Sequence, residues 1–143
     1  MEAALISAAA AILVAALSVY ATKAKEREAT WRAKKLDYYE EFIQASSGIV
    51  GETAIPPAKV RFANAVNNLH LVASQQVLDA LHDFCEEIAE SNAHTKTKER
   101  HDQLWSRLVW HIRADLGNAP RKPVDTFEAR LWASGTGTNF ISS

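Results

Sequence analysis

The sequence predicts an all-α fold, in which an N-terminal transmembrane helix continues as a long stalk into a small antiparallel helical bundle. Three observations carry this. Residues Ala3 to Tyr20 contain no charge. No helix breaker separates Tyr20 from Ser46. Beyond Pro57 the apolar residues recur at helical spacing, and no strand-like alternation of any length interrupts them.

The uncharged stretch reads AALISAAAAILVAALSVY, eighteen residues at the lower edge of what crosses a bilayer as a helix. Leu5, Ile6, Ile12, Leu13, Val14, Leu17 and Val19 drive insertion. At roughly −0.3 to −0.6 kcal/mol each they supply about −2 to −4 kcal/mol, while Ala and Ser add little. Insertion is therefore favourable but marginal, with Lys23 able to snorkel to the headgroups. A cleaved signal peptide and a buried Ala-rich core helix are the competing readings. The first wants positive charge ahead of the apolar run, where only Glu2 stands. The second wants cover on every face.

Lys23, Lys25, Arg27, Arg32, Lys34 and Lys35 follow the span. By the positive-inside rule they place the N-terminus outside and the C-terminus in the cytoplasm, at the cell (inner) membrane. The lone Cys85 then lies in a reducing compartment, where a chain unable to form an internal disulfide is at home. Ser7, Ala11 and Ala15 repeat every four residues and offer a small-residue face for helix association.

The anchor, residues 1–22, leads into a stalk and first bundle helix, 23–47. A single helix from about residue 3 to 47 would be roughly 65 Å long. Trp31, Leu36, Tyr38, Tyr39, Phe42 and Ile43 place the start of the bundle near Trp31. Ser46-Ser47-Gly48 stops the helix, and GIVGETAIPP is a loop. The remaining bundle helices fill 57–132. A second helix, about 57–72, turns Phe62, Val66 and Leu69 inward. Ser74 is placed to cap a third, about 75–92, whose Val77, Leu78, Leu81, Phe84, Cys85 and Ile88 form one apolar face. A fourth, about 96–116, uses Leu104, Trp105, Leu108, Val109, Ile112 and Leu116, and Gly117 ends it. A short helix is expected over 124–132 and a flexible tail over 133–143.

A net charge of −1 over 143 residues gives no basic excess for nucleic acid. Glu86, Glu90 and His94 stand at metal-ligand spacing if one helix holds them all, but Ser91-Asn92 interrupts it. Cys85 reads as a buried thiol with no activating base, since His82, three residues away, belongs mostly to the polar face. No catalytic group, metal, cofactor or small-molecule substrate is expected. Arg107, His111 and Asp115 form an i, i+4, i+8 row on the fourth helix. With Arg113 and Trp110, which falls off the apolar face, they make a possible partner surface. Trp132 is a second tryptophan with no obvious burial.

The anchor, KKLDYYEEFIQA, FANAVNNLHLVASQQVLDALHDF and LWSRLVWHIRADLG together resemble a group of short, uncharacterised bacterial single-pass membrane proteins with a cytoplasmic helical domain. The resemblance covers about residues 20–120. It implies no activity, only that Arg113, Asp115, Leu116 and Gly117 form a recurrent structural corner. The leading expectation is a non-enzymatic protein that holds its domain at the bilayer and binds itself or another protein. A small oligomerising membrane effector, pore-forming or membrane-perturbing as in bacterial defence or toxin systems, is the alternative.

Overall fold

The structure, a computed structural model, describes residues 2–49 and 54–132, with side chains from Ser7 onward. Four α-helices and two 3-10 turns account for the order. They are α1 Glu2–Ser47, α2 Pro56–Leu69, α3 Gln75–Ile88 and α4 Lys98–Asp115, with turns at Glu90–Asn92 and Val124–Thr126. No strand occurs among the described residues. The chain divides into two units between Lys34 and Lys35, inside the unbroken α1.

The first unit is one helix. Its runs of Ala, Leu, Glu, Lys and Arg are strong helix formers. Thr22 and Thr30 return their hydroxyls to the carbonyls of Ser18 and Glu26, both at 2.9 Å. Those hydroxyls need no other partner. Arg32 meets Glu28 one turn back at 2.7 Å, an exposed pair worth a few tenths of a kcal/mol.

The second unit packs the end of α1 with α2, α3 and α4 around one core. Tyr39, Phe42, Leu69, Val77, Leu81, Phe84 and Leu108 are almost completely buried. Phe42 is the centre of an aromatic chain. It lies 5.9 Å from Phe62 and 6.2 Å from Trp105, and Trp105 lies 5.3 Å from Phe84. Rings at these separations add directional attraction to area burial. Ser46 is fully buried, and its hydroxyl is satisfied by the Phe42 carbonyl at 2.8 Å.

The helical layout matches the one expected from the sequence, with corrections at the edges. The bundle does not begin at Trp31, which is 47% exposed, nor at Leu36, 43% exposed. The inward stripe of α1 is Lys35, Tyr39, Phe42 and Ser46, so the place one turn before Tyr39 belongs to Lys35. Helix α2 stops at Leu69 rather than 72, because His70 takes the C-cap and its ring turns back to the Val66 carbonyl at 3.1 Å. Ala65 and Leu69 are its buried residues, while Phe62 and Val66 are half-buried.

Helix α3 begins at Gln75, after Ser74 as expected, but the Ser74 side chain makes no capping bond. It ends at Ile88, short of 92. Ala89 turns extended, and the Asn92 amide donates to the freed Glu86 carbonyl. Helix α4 starts at Lys98, not 96, because the Thr97 hydroxyl accepts the Arg100 N–H at 3.2 Å. Its end at Asp115 has a Schellman cap. Gly117 sits at φ 77°, Asn118 N–H bonds the Arg113 carbonyl at 2.8 Å, and Gly117 N–H bonds Ala114 at 2.9 Å.

The short helix expected over 124–132 does not form. Only Val124–Thr126 turns, after Pro123, and residues 127–132 run on without helix. The loop residues 50–53 and the tail 133–143 lie outside the described residues, as do the side chains of Leu5 and Ile6.

Replacing Phe42 by Ala removes the ring that joins three helices. Chemical denaturation followed by far-UV circular dichroism should show a loss of about 3–5 kcal/mol.

Candidate functional site on the fourth helix

Four of the five residues singled out on α4 are engaged within the domain. Asp115 is the last residue of the helix, where the dipole disfavours a carboxylate. It is held by α1. Lys35 Nζ lies 3.0 and 2.9 Å from its two oxygens, and the Tyr39 hydroxyl donates to Oδ2 at 2.5 Å. The pair is mostly shielded, with 14% and 9% side-chain exposure. Burial opposes ionisation of Asp115. The hydrogen bonds from Tyr39 and Lys35, the lysine charge and the Ser74 backbone outweigh it and hold the carboxyl below its ordinary range. Burial first, then the bond to Asp115, pushes the Tyr39 hydroxyl far above ordinary phenol values. The tyrosine is a donor at every physiological pH.

Arg107 reaches across to Asp83 of α3 at 3.1 Å, an exposed pair. Trp110 is half-buried rather than free. Its indole N–H donates to the Lys122 carbonyl at 2.9 Å and so fastens the chain beyond α4. Arg113 lies over the Phe127 ring at 6.0 Å, a cation–π contact with that same segment. The five residues therefore do not form one open face. Asp115 looks to α1, Arg107 to α3, and Trp110 and Arg113 to the segment after α4.

His111 is the exception. Its Nδ1 is buried and has no hydrogen-bond partner among the described residues. Burial, reinforced by the Arg107 charge and opposed by Asp79, lowers its pKa. His111 also lines a cavity of 720 Å³ between α4 and residues 124–130. That volume is in the range of ligand clefts. Residues of both charge signs line it, Asp102 and Arg107 of α4 among them.

A second histidine arrangement has no signal in the sequence. His70 Nε2 and His82 Nε2 are 3.0 Å apart, with ring centroids at 5.3 Å. His70 Nδ1–H is committed to the Val66 carbonyl, so its Nε2 accepts from His82. These residues are twelve apart, and only the turn between α2 and α3 brings them together. Sequence reasoning likewise misses Lys35 and Tyr39 as partners of Asp115, although a carboxylate at a helix C-terminus is a signal that some cation attends it.

The other candidate sites disperse. Glu86 and Glu90 are separated by the end of α3, and Glu90 pairs with Lys59 at 2.7 Å. Among the described residues no group of three His, Cys, Asp or Glu could hold a metal. Cys85 is half-buried against the core, and burial pushes its thiol up to about 11. On α1, Ser7, Ala11 and Ala15 are exposed, as are Ile12, Leu13, Val14, Leu17 and Val19.

No family model, curated protein or solved structure matches the chain. Fold and site define an all-helical protein whose long first helix carries a segment apolar and long enough to cross a membrane.

Asp115→Asn should cost about 2–3 kcal/mol in denaturation, since it leaves the Lys35 ammonium shielded without its counter-charge. The pH profile should have two acid limbs. The folded pKa of His111 is depressed, so its contribution is complete above about pH 6.5 and declines as pH falls below that. His111→Gln should flatten this limb. The folded pKa of Asp115 is also depressed, so its contribution is complete above about pH 4 and is lost only at lower pH.

Proposed function

We propose that this chain is a non-enzymatic, single-pass membrane protein. Its helical domain works at the cytoplasmic face of the cell membrane by binding protein, foremost a second copy of itself. The observation that carries the reading is the exposure of the uncharged part of α1. Ile12, Leu13, Val14, Leu17 and Val19 are 56–71% exposed on a continuous helix. A row of exposed large apolar side chains on one helix is costly in water and natural in hydrocarbon. Tyr20, 70% exposed, and Lys23 follow at the place where an aromatic and a snorkelling cation mark the interface.

Orientation rests on the basic residues that follow the apolar segment. Lys23, Lys25, Arg27, Arg32 and Lys34 stand close behind Tyr20 on the same helix and are exposed. The function is one of placement, in which the span fixes the domain at the bilayer. The bundle supports a binding role because the shielded Lys35–Asp115 pair and the Phe42 aromatic cluster hold its helices together as one packed unit.

Membrane fractionation tests the anchor. Leu13→Arg adds about 3 kcal/mol at the centre of the span, which cancels the insertion energy supplied by the apolar residues. The variant should leave the carbonate-resistant membrane pellet while the parent stays in it. A C-terminal alkaline phosphatase fusion should be silent and a C-terminal green fluorescent fusion bright. The reverse pattern would overturn the orientation.

A further inference from the structure

Residues 127–132 alternate in exposure as a strand does, with no strand to pair with among the described residues. Phe127 leaves the 3-10 turn with φ −79° and ψ 133°. From there exposure alternates without exception. Phe127, Ala129 and Leu131 turn inward, and Glu128, Arg130 and Trp132 turn to solvent, with Trp132 79% exposed. A period of two is the signature of extended β-type backbone. One edge of this segment is held. Ala129 N–H donates to Ser106 Oγ at 2.9 Å, and the same hydroxyl lies 3.1 Å from the Ala129 carbonyl. In a strand the N–H and C=O of one residue face one edge and those of its two neighbours face the other. The backbone groups of Glu128 and Arg130 therefore face the opposite edge, and among the described residues none of them is hydrogen-bonded.

We propose that this edge pairs antiparallel with the same edge of a second copy of the chain, Glu128 standing opposite Arg130 of the partner subunit. The proposal deepens the self-assembly put forward above and rests on it. The pattern is self-complementary about Ala129, as a two-fold interface requires. In this register each Glu128 and the opposing Arg130 exchange both of their backbone hydrogen bonds. Their side chains share the outer face, so a carboxylate meets a guanidinium twice. Slipping the register by two residues sets Glu128 against Glu128 or Arg130 against Arg130, which like-charge repulsion disfavours. Slipping it by one sends outward side chains to the inward face. Trp132 lies on the same outer face, diagonal to the opposing Glu128, where its exposed ring gains cover.

Sedimentation of the full chain in detergent micelles, over a dilution series, tests this. The parent should dimerise reversibly. Glu128→Arg and Arg130→Glu each turn two attractive cross-strand pairs into repulsive ones and should weaken the dimer about tenfold or more. The double variant, with both charges exchanged, should recover the parental affinity. Both positions are exposed, so circular dichroism should show unchanged helix content in all three variants. A dimer indifferent to the single reversals, or a double variant that fails to recover, overturns the strand edge and leaves self-assembly standing. A parent that is monomeric throughout overturns both.

Discussion

Asp115 is the point at which the bundle closes on its first helix. Residues 35–47 of α1 contribute a buried stripe, and a three-membered polar cluster sets its height against α4. Lys35 and Tyr39, one turn apart on α1, both end on a single carboxylate at the end of α4. A hydrophobic face alone tolerates sliding by a turn. A charged hydrogen-bonded pair with little exposure does not, since any slip leaves an ion shielded and unpaired. The cluster thus fixes the register in which Phe42 can reach both Phe62 and Trp105.

The same helix end controls the path of the chain beyond it. The Schellman cap at Gly117 turns the backbone back along α4, and three contacts then fasten it: Trp110 to Lys122, Arg113 to Phe127, and Ser106 to Ala129. All three α4 residues lie within two turns of one another. Residues that sequence alone groups as a polar face for some partner serve here largely to hold this chain's own return segment. The cavity beneath that segment, with the unpaired His111 nitrogen in its wall, is the space left where the return is bridged rather than packed.

The elements of the fold are legible because apolar residues in α3 and α4 repeat at helical spacing and because Ser74, Gly117 and the prolines punctuate them. The unbroken α1 is legible for another reason, the lack of any breaker between Tyr20 and Ser46. The ends are less legible. His70 and Asn92 each terminate a helix with a side chain that bonds back to a carbonyl, and such bonds depend on geometry that no spacing rule encodes. Residues 127–132 mislead because three alternating apolar positions in six residues fit a short helix nearly as well as a strand. The site is legible only in part. The row Arg107, His111, Asp115 is visible as a row, but its partners Asp83, Lys35 and Tyr39 come from other helices. Long-range pairs such as His70 with His82 leave no local trace.

Cys85 gives the molecule an intrinsic clock. Its sulfur packs against the core, and burial raises the thiol pKa, so thiolate is scarcer than in an exposed cysteine while α3 lies against α4. Once α3 lifts, the thiol becomes an ordinary one and alkylates quickly. With a single cysteine in the chain, alkylation beyond the slow rate of the half-buried thiol reports such openings. The breathing of this bundle can therefore be followed on the unaltered protein, without introducing a label.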